Sequence, residues 1–314
     1  MRDRMLLNKL TAAMLALLVV FTLTACGQSQ PDVIVGNVGG TSGTNGTTTP
    51  SGDTTDPSVE PTYPEPIPTE PETETTEEYT EPSTEESNGL TGYEYEITPL
   101  IGAVPAGDRV DKSYFDDAVF VGDSVSMKLN FYCAASGALG NAQFLTAGSL
   151  GSANALWEVS NNSVHPVYNG QKQLIEKSIA SMDVNKVYIM LGMNDIAIYG
   201  LDGAVNNMVK LIERILVNSP DVQIVVQSMT PMTSTSNLLS SSGHNPQNIH
   251  TYNMKLMNMC NEKGYYFLDV ASVMYNDNGF LRREYCSDPD GMGIHFTNAG
   301  CVAWVDYLLT HPIQ

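Results

Sequence analysis

The apolar and polar positions of this 314-residue chain fall into two regimes. From about residue 97 onward, short apolar runs alternate with stretches of helical period. Residues 118–121 are an apolar run of strand type; Gly122-Asp123 breaks it, and 125–135 reads as a helix. Further strands are expected at 143–147, 186–191, 222–227 and 265–270, and helices at 171–182, 204–217, 247–262 and 297–309. After Lys186 the third strand is apolar at every position, as a strand covered on both faces should be. Asn218-Ser219-Pro220 and Gly264 close two of the helices, and Thr297 stands as N-cap of the last. Strands and helices alternating at this spacing predict an α/β fold, a parallel five-stranded sheet with helices on both faces. Two polar stretches interrupt the alternation, 152–170 with Trp157 and His165-Pro166, and the Ser- and Asn-rich 234–245.

The first 96 residues follow other rules. Residues 1–25 carry Arg2, Arg4 and Lys9 and then an apolar run, which is the layout of a secretory signal and too short for a comfortable membrane span. The run ends in Leu23-Thr24-Ala25-Cys26, which resembles a bacterial lipobox, so Cys26 is expected to be lipidated and to become the first mature residue. A diacylglyceryl group has two chains, enough for stable anchoring. Residues 26–96 are expected to be a disordered spacer of Thr, Pro, Glu, Ser and Gly, because so few apolar residues cannot offset the entropy of ordering. A flexible chain of that length spans roughly 45–50 Å. The expected place is thus the extracellular face of a bacterial membrane, with one folded domain at 97–314 at the end of the spacer.

Charge supports that division. Of the net −20, residues 1–26 contribute +2, residues 27–96 contribute −15 and the folded part only −7. No basic cluster occurs anywhere, which argues against a nucleic-acid partner. Cys133, Cys260, Cys286 and Cys301 match no zinc spacing, and either any of three disulfide pairings or four buried thiols would suit them. No metal or other cofactor is expected.

In a parallel sheet the carboxyl ends of the strands share one edge, where ligands bind. Here that edge collects Gly122-Asp123-Ser124, Ala147-Gly148-Ser149 and Gly192-Met193-Asn194-Asp195. Ser124, where a strand hands over to a helix, is either an N-cap or a nucleophile. In the second case the Ser124 and Gly148 amides and the Asn194 side chain can supply oxyanion donors. His295, in the Gly-rich loop before the last helix, reaches the same edge as general base. His165 is a possible substrate-side residue, while His244, His250 and His311 read as solvated. Asp123 and Asp195 read as loop hydrogen-bonders.

The ordered set Gly-Asp-Ser, Gly, Gly-Xaa-Asn-Asp and a late His resembles the SGNH (GDSL-type) hydrolase superfamily over roughly residues 115–310. The resemblance implies a three-layer α/β/α, flavodoxin-like fold and a metal-free ester hydrolase with Ser124, His295, Gly148 and Asn194 in its site. It implies carboxylic esters as substrates, often acetyl groups on carbohydrate. One position departs from the family: the triad acid ordinarily stands three residues before the histidine, which here is Met292. Asp290 is the first choice for that role, Asp288 the second, and a Ser-His dyad the third. A monomer acting on acylated polysaccharide is expected; a cell-wall glycan O-acyltransferase and a degenerate binding module are the alternatives.

Overall fold

The computed structural model of the protein describes residues 97–240 and 243–314. The signal sequence, Cys26 and the spacer expected at its start lie outside the described residues. Five parallel strands make the central sheet: β1 (Ala118–Gly122), β2 (Gln143–Thr146), β5 (Lys186–Met190), β6 (Gln223–Gln227) and β7 (Tyr266–Leu268). Their order is β2-β1-β5-β6-β7. β1 and β5 are buried along their whole length, in register from Ala118 opposite Lys186 to Gly122 opposite Met190. Their near-continuous apolar sequences follow from cover on both faces. Lys186 is tolerated there because its ammonium pairs with Asp117 at the strand's start.

The helices are α1 (Ser124–Ser136), α2 (Ile175–Ala180), α3 (Ile196–Asn218), α4 (Pro246–Lys263) and α5 (Asn298–Thr310). Right-handed crossovers put the helix formed before the strand order reverses and the connecting helices formed after it on opposite faces. α1 accordingly packs with α5, while α3 packs with both α2 and α4. Trp304 of α5 is fully buried and its indole N–H is donated to Gln227 Oε1 at 2.9 Å. The reversal point lies between β1 and β5, so the segments after these two strands flank the crevice of the fold.

Two expectations about elements need correction. Residues 171–182 are not one helix: β3 (Val167–Tyr168) and β4 (Gln171–Lys172) form a small antiparallel ribbon, and α2 is only six residues long. Asn169 and Gly170 take φ of 51° and 78°, the two positive values a type I′ hairpin turn requires. α3 begins eight residues earlier than its period predicts, with a break at Gly200 (φ 68°, ψ 175°) that leaves Ile198 and Tyr199 on an exposed first turn. The other boundaries fall within one or two residues, and Thr297 does cap α5 through Gly300 N–H. No described helix is long and apolar enough to cross a membrane.

Candidate active site

Ser124 is the first residue of α1, capped by Asp123, whose carboxylate accepts Val125 N–H at 2.9 Å. The serine is therefore not the cap itself. Its Oγ lies 3.1 Å from His295 Nε2. The same imidazole has Nδ1 2.8 Å from Asp288 Oδ2. An ionised carboxylate can only accept, so Nδ1 carries the proton and Nε2 is left to receive one from the serine. Burial pushes the Asp288 carboxyl up. The bonds it accepts from the His295 ring, the Cys286 thiol and His295 N–H outweigh that, and it rests below its ordinary value.

The acid at the imidazole is thus Asp288, and the choice of Asp290 is corrected. Residues 286–288 run antiparallel to 294–296: Cys286 bridges Phe296, and Ser287 N–H is donated to His295 C=O at 2.8 Å. That pairing sets Asp288 beside the histidine. The intervening residues bulge outward and are held by the segment after β6. Thr233 and Thr235 hydroxyls are donated to Pro289 C=O, Asn237 N–H to Gly291 C=O and Thr233 N–H to Gly293 C=O, at 2.6–2.9 Å. Asp290 faces solvent and forks onto Arg283 at 2.9 and 2.5 Å, which lowers its pKa.

On the other side of Ser124, Gly148 is exposed, and a Cβ built there would meet nothing within 4 Å. Among the described residues, neither its N–H nor that of Ser124 is donated to a protein acceptor. The turn that presents Gly148 is strained, with Ser149 at φ 61°. Two residues hold it. Asn154 donates to Ser149 C=O and accepts Gly151 N–H, both at 2.9 Å. Asp195, fully buried, accepts Ser152 and Ala153 N–H at 2.8 and 2.9 Å. Burial raises the Asp195 pKa and the two amides oppose the rise. Asp195 is the loop tie its sequence position suggested; Asn154 went unnoticed, because its signal is only an Asx residue beside a Gly-rich turn.

Asn194 Nδ2 is donated to Leu150 C=O at 3.0 Å and, over a longer 3.3 Å, to Asp123 Oδ2. Asp123 is buried, and burial lifts its carboxyl to about 6. Gly192 takes φ 143° under the Tyr252 ring, whose hydroxyl is donated to Leu191 C=O at 3.1 Å. His244 is buried, and its Nε2–H is donated to Met193 C=O at 2.7 Å, so it fixes the same turn and is not a solvated surface residue. His250 is also buried. His165 is buried with Nδ1 on Ser163 Oγ, and His311 stacks on Tyr307. The cysteines at 133, 260, 286 and 301 are buried free thiols, and no cluster of possible metal ligands occurs among the described residues.

The model of the GDSL-like lipase/acylhydrolase family matches residues 120–302. Among solved structures, the chain is similar to a Bacteroides fragilis protein assigned as an acylhydrolase (18% identity, 65% of this chain and 88% of that one, TM-score 0.47). It is also similar to a GDSL-like lipase from Bacteroides thetaiotaomicron (15%, 64% and 89%, TM-score 0.45). A third is the carbohydrate acetylesterase Est24 from Sinorhizobium meliloti (14%, 61% and 96%, TM-score 0.45). Comparison with curated proteins finds no match.

Proposed function

The chain belongs to the GDSL-like lipase/acylhydrolase family, and from that premise we propose that it is a serine esterase working through Ser124, His295 and Asp288. The observation that carries this reading is the unbroken path from Ser124 Oγ through the imidazole to Asp288, with contacts of 3.1 and 2.8 Å. His295 Nε2 takes the hydroxyl proton as Ser124 Oγ attacks the ester carbonyl. The oxyanion collects Ser124 N–H and Gly148 N–H, and Asn194 Nδ2 turns to it from the longer bond to Asp123. The imidazolium, stabilised by Asp288, then protonates the departing alcohol, and water activated by the same histidine hydrolyses the acyl-serine.

The substrate we propose is an acetyl ester on a polysaccharide outside the cell, met by a domain tethered through lipid on Cys26. The Leu23–Cys26 motif and the acidic spacer support that placement. Asp288 at the imidazole supports an active hydrolase over a degenerate binding module. Hydrolysis of p-nitrophenyl acetate by residues 91–314 tests the reading. Wild type should turn over with a histidine-like pH dependence, and Ser124→Ala should fall by ~10⁶-fold. A folded Ser124→Ala protein with unchanged turnover would refute it. Acetate release from acetylated polysaccharide, compared with transfer to a glycan acceptor, tests the substrate.

A further inference from the structure

Cys286 takes part in none of the steps above, yet its thiol is bonded to the group that orients the base. Its Sγ lies 3.2 Å from Asp288 Oδ1, while Oδ2 of the same carboxylate holds His295 Nδ1. Building on the serine-esterase reading, we infer that Cys286 is a positioning residue: its S–H bond holds the Asp288 carboxylate in the orientation that binds the catalytic imidazole.

The placement follows from the backbone. Cys286 is extended (φ −107°, ψ 131°) and belongs to the short segment paired with 294–296. Side chains two apart on an extended segment share a face. The thiol at 286 and the carboxylate at 288 therefore lie side by side, and the other oxygen of that carboxylate reaches the His295 ring. Of the three donors the carboxylate receives among the described residues, two come from His295 itself: the ring at 2.8 Å and the backbone N–H at 3.1 Å. Only the Cys286 thiol holds the carboxylate independently of the residue it is meant to orient.

Chemistry suits the role. The thiol is buried, and burial pushes it up to about 12, so it keeps its proton wherever the histidine works as a base. A thiolate at this position would repel Asp288; a thiol donates to it. The competing account is that Cys286 is a small apolar filler, as buried cysteines commonly are. Volume and donation can be separated by substitution. Cys286→Ser keeps a donor, Cys286→Val keeps bulk without one, and Cys286→Ala removes both.

The test reads two quantities in the same proteins: the His295 Nδ1–H resonance by NMR, which needs no turnover, and kcat with KM on p-nitrophenyl acetate. Cys286→Ala and Cys286→Val should lower kcat about 3- to 10-fold, the rate equivalent of one net hydrogen bond, with KM unchanged. The His295 Nδ1–H resonance should move upfield, as the ring loses its well-aligned partner. Cys286→Ser should restore both. In an Asp288→Asn background, Cys286→Ala should cause no further slowing. Wild-type values in Cys286→Ala and Cys286→Val, or a Cys286→Ser protein as impaired as Cys286→Ala, would overturn the inference. Failure of the esterase reading is seen separately, as turnover that survives Ser124→Ala, and leaves the Nδ1–H resonance to decide the role of Cys286.

Discussion

Replacing Asp288 by Asn separates the two candidate acids, and its effect can be worked out atom by atom. Oδ1 of Asp288 accepts two donors, Cys286 S–H at 3.2 Å and His295 N–H at 3.1 Å, while Oδ2 accepts only the ring. An asparagine has one acceptor oxygen and one NH₂ group. The two donors will draw the oxygen to the Oδ1 position, which leaves the NH₂ facing His295 Nδ1. The imidazole must then present its lone pair at Nδ1 and carry its proton on Nε2, so it can no longer accept the Ser124 proton. Loss of the correct tautomer together with loss of the negative charge should lower kcat by ~10³–10⁴-fold. Asp290→Asn removes only an exposed pair with Arg283, and its effect should stay within about twofold. The assay is kcat/KM on p-nitrophenyl acetate for both variants, with circular dichroism to show that each is folded. An Asp290→Asn protein as slow as Asp288→Asn would refute the geometric argument, and so would an Asp288→Asn protein within a few-fold of wild type.

Other consequences concern stability and the turns around the site. Burial lifts Asp123 to about 6, above its unfolded value, so the native state binds the proton more tightly. Stability should fall as pH rises from about 4 to 6, and the penalty should be fully in place above 6, about 3 kcal/mol for a shift of roughly two units. Asp123→Asn keeps a capping oxygen, so the difference in urea unfolding free energy between variant and wild type should grow in the variant's favour across that window; a constant difference would count against the buried-charge account. Asp195→Ala leaves Ser152 and Ala153 N–H without their acceptor, and should cost about 2–5 kcal/mol in the same assay and slow turnover by loosening the Gly148 turn. Full activity in that variant would show that the turn holds without Asp195. Gly192→Ala would set a Cβ 2.4 Å from the Tyr252 ring at φ 143°, and should lower stability by about 3 kcal/mol, seen as a Tm drop of roughly 6–12 °C. An unchanged Tm would contradict it.

Ser124, Gly148, Asn194 and His295 could be placed from the chain alone because local patterns determine where strands end, and a parallel sheet gathers those ends on one edge. Nothing comparable fixes an acid in a loop. From 288 to 295 the residues are Asp, Pro, Asp, Gly, Met, Gly, Ile and His, and either aspartate could be swung toward the ring by some arrangement of the glycines. The choice is made by contacts distant in sequence: the segment after β6 holds the carbonyls of 289–293 outward, and Arg283 takes Asp290. His244 was misjudged for the same reason, since its burial depends on a carbonyl 51 residues away. The hairpin at Asn169-Gly170 is a different kind of miss. Its turn signal is local and strong, but the residues after it also carry a helical period. The acid also shows why a spacing rule failed here. Asp288 is held beside His295 by the pairing of Cys286 and Ser287 with Phe296 and His295 and by the turn between them, whose Gly291 and Gly293 N–H groups are donated to Asp288 C=O at 2.9 and 3.0 Å. An acid held this way need not stand three residues before the histidine it bonds.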